Sequence, residues 1–270
     1  MTKKKYTFDD LLEIMALLRS EKGCPWDREQ THESLKRYLI EETYEVLEAL
    51  DSGDKNRFAD ELGDLLLQIV FHAQIGKEEG TFDIHDVISC ICQKMIDRHT
   101  HVFGQAKADN ADEVLDNWEE IKKKEKGLEN HTQVLREVSS YLPALMRSYK
   151  VQQKAAKVGF DWDSVTGAMD KVKEEINELE QVYKTENMGK IEEEVGDLIF
   201  AIVNVARFLK VHPELALTQT VEKFINRFEY IEKNCSRFNK KMEEMTLDEM
   251  DILWNEAKTH IFQKKDKNYS

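Results

Sequence analysis

The chain contains few of the residues that make turns: there are 11 glycines and 3 prolines among its 270 residues. Average proteins contain about 7% glycine and about 5% proline. An all-β chain needs a turn about every 8–12 residues, so this composition excludes a β-sandwich or an antiparallel barrel. Glu, Lys and Leu, which favour helices, are abundant, and the sequence therefore predicts an all-α protein with long helices.

Paired cysteines, long apolar runs and an excess of basic residues are also missing. The four cysteines form neither a C-x-x-C pair nor a zinc spacing with histidine, which is typical of reduced thiols. The most apolar stretch, residues 65–73, is far shorter than a membrane span, and acidic residues follow the lysine-rich start of the chain. The net charge of −14 argues against nucleic acid or an anionic membrane as a partner. We therefore expect a cytoplasmic protein that binds neither.

Hydrophobic periodicity and turn residues predict how the helices are organised along the chain. Helices are expected at about residues 9–20, 31–50, 56–76, 83–99, 132–157, 164–184, 189–210 and 213–238, with a loop at 23–27. Pro143 should start or kink its helix, and Thr246 with Glu249 should cap a last helix through Trp254. We predict an N-terminal repeat at 1–103, a linker with a charged helix at 104–131, a C-terminal repeat at 132–262 and a frayed tail at 263–270.

Two acidic motifs occur twice and in register. E-E-x-x-E spans residues 41–45 and 174–178, and E-x-G-D spans residues 61–64 and 194–197, so each second copy follows 133 positions after the first. Two cations downstream, Lys94 and Arg98, recur 129 positions later as Lys223 and Arg227. Such self-similarity indicates two copies of one structural unit.

The repeated motifs predict a cluster of carboxylates in each copy. Residues three apart share a helix face, and the short connection between the two motifs predicts an antiparallel helix hairpin. The converging sets are Glu42, Glu45, Glu61 and Asp64 in the first copy and Glu175, Glu178, Glu194 and Asp197 in the second. Carboxylates this close repel one another unless cations or protons intervene, and hard oxygen ligands suit Mg²⁺ or Mn²⁺.

The same motifs also have other possible explanations. A single E-E-x-x-E is more often a solvated helix face, so the paired recurrence carries the metal prediction. A di-iron site of the ferritin type would need Glu-x-x-His, which neither copy has. Gly63 and Gly196 are costly inside helices, which predicts close approach to the backbone there, by a ligand or by a packed helix. His99 and His101 point to different helix faces, which favours a loop or capping role over zinc.

The motifs resemble those of the all-α nucleoside triphosphate pyrophosphohydrolases. The presence of two copies of the acidic motifs resembles the MazG members of that family. Four segments also resemble those members: residues 24–27, 41–47, 98–103 and 158–162. The resemblance covers about residues 8–260. It implies helical bundles that dimerise, hold Mg²⁺ on the acidic motifs and cleave a nucleoside triphosphate to the monophosphate and pyrophosphate. Two tandem MazG-like repeats, each built on one antiparallel helix hairpin, are thus the predicted fold.

The resemblance also implies roles for individual residues, with the C-terminal repeat as the main catalytic one. The implied catalytic residues are Glu174, Glu175, Glu178, Glu194 and Asp197, of which the last four hold the metal; Glu174 could accept the proton of the attacking water. The implied nucleotide contacts are Lys171, Glu174, Lys190, Glu193, Lys223, Arg227 and Trp254, the last as a stacking partner for a base. Glu42, Glu45, Glu61 and Asp64 could hold a second metal, with cations at Arg57, Lys94 and Arg98 but with Tyr38 in place of Lys171.

The expected function is Mg²⁺-dependent hydrolysis of ribo- and deoxyribonucleoside triphosphates by a homodimer, with Mn²⁺ as a possible substitute metal. A housecleaning role, or control of nucleotide pools, would follow from it. Two alternatives remain open: a pyrophosphatase restricted to a few deoxynucleotides, and an acidic helical interaction protein without turnover.

Overall fold

The structure, a computed structural model, describes residues 5–108 and 110–266 and is helical throughout its regular regions. The α-helices are α1 (Phe8–Leu18), α2 (Pro25–Glu29), α3 (Lys36–Ser52), α4 (Lys55–Glu79), α5 (Ile84–Arg98), α6 (Thr100–Phe103), α7 (Ala111–Glu125), α8 (His131–Arg136), α9 (Ala144–Ala156), α10 (Val165–Val182), α11 (Met188–Phe208), α12 (Pro213–Asn234) and α13 (Leu247–Asp266). Short 3₁₀ helices cover Cys235–Phe238 and Met242–Glu244. No strand occurs among the described residues, and the all-α prediction is confirmed.

The chain divides after Glu125 into two compact units, the first with α1–α7 and the second with α8–α13. The charged helix expected in a linker is α7, and it packs on α5 within the first unit. None of the helices in the described part of the chain combines the length and the hydropathy that crossing a bilayer would need.

The first unit is built on the α3–α4 hairpin, which α1 covers. Gly53 ends α3 in the left-handed region at φ 73°, which a residue without Cβ adopts freely. Asp54 then caps α4, because its carboxylate accepts a hydrogen bond from the Asn56 N–H at 2.9 Å. A buried cluster of Met15, Leu35, Val70, Phe71 and Ile75 joins these helices. The two-residue turn sets the acidic residues of α3 beside those of α4.

The second unit repeats this hairpin as α10–α11, with α9 packed on α11 and α12 paired with α13. The predicted capping box at the start of α13 is confirmed: the Thr246 N–H donates to Glu249 at 2.8 Å, and the Glu249 N–H donates to the Thr246 hydroxyl at 3.3 Å. Ile231, Met245 and Leu253 form the core between α12 and α13. Helix α12 also contacts α9 and α11, which joins this pair to the hairpin.

Three local predictions differ from the structure. The expected loop at 23–27 contains the start of α2, because Pro25 at its first position needs no N–H partner and is preset for a helix. The expected helix 132–157 is two helices, α8 and α9, because Pro143 lacks an N–H and stands as the N-cap of α9. Helix α13 continues to Asp266, so the first four residues of the predicted frayed tail are helical; the remainder lies outside the described residues.

The glycines of the two acidic motifs, Gly63 and Gly196, are not covered by other atoms in the described part of the chain. A Cβ atom built on Gly63 or on Gly196 would meet no other atom within 4 Å. Tight helix packing inside the unit therefore does not explain these glycines, and both positions are open to a partner from outside the chain.

Candidate active site

The α10–α11 hairpin brings three of the four predicted carboxylates of the second unit together. One oxygen each from Glu175, Glu194 and Asp197 lies within 4.8 Å of the other two. Asn187 starts α11 by accepting a hydrogen bond from the Lys190 N–H at 3.3 Å, and this cap sets the register of the second acidic motif. The cluster has the oxygen-only character that hard divalent cations prefer.

Glu175 is the buried member of this cluster, with 4% of its surface exposed. The Lys171 ammonium lies 2.6 Å from its Oε1 and 2.8 Å from Glu174 Oε1, and these two contacts raise the pKa of Lys171. The second oxygen, Oε2, is buried without a hydrogen-bond partner among the described residues. A buried carboxylate oxygen left without a donor fits coordination of a cation.

Glu178 is the fourth predicted carboxylate, and it lies beside Glu175 on the same helix. Its pKa is raised, first because the protonated form can donate to Glu175, then because of partial burial and the nearby negative charges. The part of this shift that comes from the neighbouring carboxylates is the part that a bound metal ion would relieve.

The first unit has an equivalent cluster on α3 and α4. One oxygen each from Glu42, Glu45 and Glu61 lies within 4.8 Å of the others. Burial raises the pKa of Glu42, and the charge of Asp64 is the next cause; the pKa of Asp64 is raised by burial and then by Asp60. Neighbouring carboxylates thus contribute to raised pKa values in both units.

Two of the cations predicted for the first unit, Arg57 and Arg98, are paired with acidic side chains. Arg57 forms ion pairs with Glu48 at 2.8 Å and with Glu61 at 3.5 Å. Arg98 donates twice to Glu125 on α7, at 3.3 Å and 2.6 Å. Both guanidinium groups are thus partly neutralised before any anionic ligand arrives.

The remaining predicted contacts of the second unit lie on other elements. Lys190 and Glu193 are exposed near the start of α11, and Lys223 is exposed on α12. The Arg227 guanidinium carbon lies 5.3 Å from the centroid of the Trp254 ring. The Nε atom of Arg227 is buried without a hydrogen-bond partner among the described residues. A cation with an unused buried donor suits an anionic ligand.

A cavity of about 680 Å³ opens beside the second cluster. Its lining includes three members of the charged site, Lys171, Glu175 and Asp197, together with side chains of α9, of α11 and of the loop 159–162. None of the described residues of α12 or α13 lines it. The structure therefore joins the acidic cluster to an open cavity of the size of a small ligand. Lys223, Arg227 and Trp254 do not line this cavity.

Two segments of the chain match the model of a known protein family. The model of the MazG nucleotide pyrophosphohydrolase domain matches residues 30–103 and 163–235, each match covering one acidic hairpin. The chain belongs to the MazG family. The prediction that this chain is a nucleoside triphosphate pyrophosphohydrolase is confirmed at the level of the family.

Several known proteins align with most of the chain. The Thermotoga maritima protein named nucleoside triphosphate pyrophosphohydrolase/pyrophosphatase MazG is 44% identical over 251 residues, which cover 93% of this chain and 95% of that protein. The Escherichia coli K12 nucleoside triphosphate pyrophosphohydrolase is 44% identical over 253 residues, or 93% of this chain and 96% of the relative. The Bacillus subtilis protein YabN, described as uncharacterized, is 48% identical over 254 residues, or 94% of this chain and 52% of YabN.

Trp118, which sequence reasoning missed, gives the first MazG unit a counterpart of the Arg227–Trp254 pair. The Arg98 guanidinium carbon lies 5.3 Å from the Trp118 ring centroid, the same separation as in the second unit. The spacing W-x-E-x-K, shared by residues 118–122 and 254–258, could have revealed that α7 and α13 are equivalent. The His99 ring packs edge-on against Trp118. Its Nδ1 lies 2.6 Å from the Met95 carbonyl oxygen near the end of α5, in agreement with the expected capping role.

Proposed function

We propose that the chain hydrolyses ribo- and deoxyribonucleoside triphosphates to the monophosphate and pyrophosphate, with Mg²⁺ bound in the second MazG unit. The observation that carries the proposal is the buried Glu175, which belongs to a cluster of carboxylates and has one oxygen without a hydrogen-bond partner among the described residues. Glu175, Glu178, Glu194 and Asp197 would hold the ion, and Mn²⁺ would serve as a substitute. The activity in the names of the Thermotoga maritima and Escherichia coli relatives supports this assignment.

The bound ion would neutralise phosphate oxygens and orient water for attack on the α-phosphorus, with pyrophosphate as the leaving group. Lys171 stays charged beside its two carboxylate partners and offers a positioned cation to the triphosphate. Glu174, exposed next to Lys171, is the proposed acceptor of the water proton.

The other proposed nucleotide contacts are those implied by the resemblance to the family. Lys190, Glu193 and Lys223 are exposed and can reach a ligand in solution. The unpartnered Nε of Arg227 supports its assignment to an anionic group, and Trp254 supplies an aromatic face beside it. We assign Lys223, Arg227 and Trp254 to nucleotide binding on this basis.

The first MazG unit is proposed to bind metal through Glu42, Glu45, Glu61 and Asp64 but to contribute little turnover. Tyr38 occupies the position of Lys171, so the unit lacks that phosphate-binding cation. Arg98 is engaged by Glu125, whereas its counterpart Arg227 keeps a free buried donor. We therefore assign the main activity to the second unit.

A homodimer is part of the proposal. Ile176, Val195 and Ile199 on the α10–α11 hairpin are each at least 40% exposed, and such apolar surface is stabilised when a second hairpin completes a four-helix bundle. Light scattering is expected to give twice the chain mass of 31.6 kDa. Ile199→Glu should yield monomers while Tyr141→Glu, at a position 91% exposed, should not; a wild-type monomer at micromolar concentration would refute the dimer.

A cytoplasmic housecleaning role, or control of nucleotide pools, is the proposed cellular setting. All four cysteines are free thiols in the structure, which fits a reducing compartment. Removal of noncanonical or surplus triphosphates would follow directly from the proposed reaction.

Product analysis by ion-exchange chromatography tests the proposed activity. The chain is incubated with a panel of ribo- and deoxyribonucleoside triphosphates, with Mg²⁺, with Mn²⁺ and with excess EDTA. Monophosphate and pyrophosphate are expected only when metal is present. Diphosphate with orthophosphate would refute attack at the α-phosphorus, and the absence of turnover on every nucleotide would favour a non-catalytic interaction protein.

A further inference from the structure

The loop between α9 and α10, residues 157–164, forms one wall of the cavity beside Glu175, and we call it the tryptophan loop. Its residues Phe160, Asp161 and Trp162 line the cavity. Phe160 is 82% exposed and Trp162 is 48% exposed, so the loop buries little apolar surface of its own. Segments with few buried contacts open more easily than packed helices, and other interactions must therefore hold this wall in place.

An ion pair joins the tryptophan loop to α11. The Arg207 guanidinium donates to the Asp161 carboxylate, and the two side chains keep only 12% and 24% of their surface exposed. The Nε atom of Arg207 also donates to Asn204 Oδ1 at 2.9 Å, which sets the direction of the guanidinium. The same Asp161 oxygen accepts the Trp162 N–H at 2.9 Å. One carboxylate oxygen thus connects the end of α11 to the backbone of the loop, and all four residues line the cavity.

Two further contacts hold the tryptophan loop to α9 and α10. Gly159 lies just after α9 at φ 83°, and the Phe160 N–H donates to the Ala155 carbonyl at 3.2 Å. On α10, a Cβ atom built on Gly167 would lie 3.1 Å from the Trp162 ring, so the glycine leaves room for that ring. The loop is thus held to α9 through its backbone and to α10 through an aromatic ring, and the ion pair adds α11.

The first MazG unit holds its corresponding segment in another way. Pro25 stands at the position of Asp161, 136 residues earlier, so the segment has no carboxylate at that place. Arg19 on α1 donates instead to the main-chain carbonyl of Asp27, and its carboxylate partner is Glu78 on α4, at 2.7 Å. A link between a loop carboxylate at this position and an arginine is therefore a feature of the second unit, to which the main activity is assigned.

We propose that Arg207 is a positioning residue for the proposed reaction: through Asp161 it holds the tryptophan loop against α11 and keeps the cavity in the shape that receives the triphosphate. The inference rests on the proposed function, because the cavity also contains Lys171, Glu175 and Asp197. A loop that is ordered before the ligand arrives need not be ordered by it, which strengthens binding without changing the chemical step. Arg207 therefore acts on KM and not on kcat.

Steady-state kinetics with the best substrate of the nucleotide panel test this role in Arg207→Met and Asp161→Ala. Each substitution removes the ion pair, so KM is expected to rise about 10-fold or more, as for the loss of one charge-assisted hydrogen bond, while kcat stays within about twofold. The double variant should resemble Asp161→Ala, because both substitutions remove the same interaction. Arg207→Lys keeps a cation and should restore part of the lost affinity.

Arg237→Met is the matched control. It breaks an ion pair with Glu256 in the same unit, and neither of these two side chains lines the cavity. This variant should therefore keep the wild-type KM.

Hydrogen exchange followed by mass spectrometry measures the loop itself, without nucleotide or turnover. The amides of residues 157–164 should exchange faster in Arg207→Met and Asp161→Ala than in the wild type and Arg237→Met. Circular dichroism checks that each variant is folded. If Arg207→Met does not fold, Asp161→Ala, at the more exposed position of the pair, decides the test.

The outcomes separate this proposal from the proposed activity. An unchanged KM in the folded variants, or equal exchange of the loop in the variants and the wild type, would overturn the proposal. A raised KM in Arg207→Met with a wild-type KM in Asp161→Ala would show that Arg207 contacts the substrate directly, which would also overturn it. A loss of kcat at unchanged KM would do the same, because it would place the ion pair in the chemical step. Failure of the wild-type chain to hydrolyse every triphosphate of the panel would instead refute the proposed function.

Discussion

The two MazG units should differ in their contribution to catalysis, and Glu175→Ala and Glu42→Ala form the matched pair that measures the difference. The two glutamates occupy equivalent positions, 133 residues apart, and each belongs to a carboxylate cluster. Glu175 is 4% exposed and contacts Lys171 at 2.6 Å, whereas the position of that cation in the first unit is Tyr38. Only the Glu175 site thus combines the proposed metal ligands with the proposed phosphate-binding cation.

The expected loss can be worked from this arrangement. Glu175→Ala removes a ligand of the proposed catalytic ion and leaves Lys171 with one carboxylate partner. Loss of such an ion costs several kcal/mol of transition-state stabilisation, so kcat/KM should fall by about 10³ or more, equivalent to about 4 kcal/mol. Glu42→Ala should retain a large part of the wild-type activity, since its site lacks the cation and its Arg98 is already paired.

Thermal unfolding provides the complementary measurement for the same pair. The pKa of Glu42 is raised, so its ionised form is disfavoured in the folded state, and Glu42→Ala should raise Tm when no metal is added. The variant should also gain less Tm from Mg²⁺ than the wild type does. Circular dichroism confirms that both variants are folded before activities are compared.

Two results would refute the assignment of unequal units. Equal loss of activity in folded Glu42→Ala and Glu175→Ala would show that the units are equivalent or share one site. Loss in Glu42→Ala alone would place the catalytic centre in the first unit. Asp64→Ala and Asp197→Ala provide an independent repeat of the comparison, with the second expected to be inactive.

Three further predictions follow from the geometry. Without metal, Glu42→Gln and the wild type should unfold at the same urea concentration near about pH 4. As pH rises through the raised pKa of Glu42, the variant should become the more stable of the two, and a difference in stability that does not change with pH would contradict this. Burial and then the charge of His32 lower the pKa of His72, so the stability of the wild type should fall as pH drops below about 6.5. This fall in stability should be smaller in His72→Gln. In His85→Gln, the control at an exposed position, it should be as large as in the wild type. In a chain that already carries Glu175→Ala, the added substitution Glu125→Gln should free Arg98 and tighten nucleotide binding several-fold, as measured by calorimetry. The added control Glu120→Gln should leave the affinity unchanged. Equal affinities in the two double variants would show that the Arg98–Glu125 pair does not restrain the first unit.

The sequence by itself determined the repeat, the helical class and the acidic hairpins. These features depend on local rules: residues three apart share a helix face, glycine and capping residues end and begin helices, and a two-residue turn returns the chain on itself. The convergence of Glu42 with Glu61, and of Glu175 with Glu194, follows from such rules once the turn is short. The motif resemblance led to the same family that the comparisons established.

Only the tertiary structure decided which of these groups are buried and which are already paired. The burial of Glu175, the pairing of Arg98 with Glu125 and the contact of Gln152 with Phe200 join residues from different turns, helices and loops. Such contacts depend on how side chains fill the space between packed helices, and no local pattern encodes that geometry. Helical periodicity could present Gln152 only as one polar residue among several on α9, whereas packing against α11 engages its nitrogen and leaves its oxygen as an unpaired acceptor.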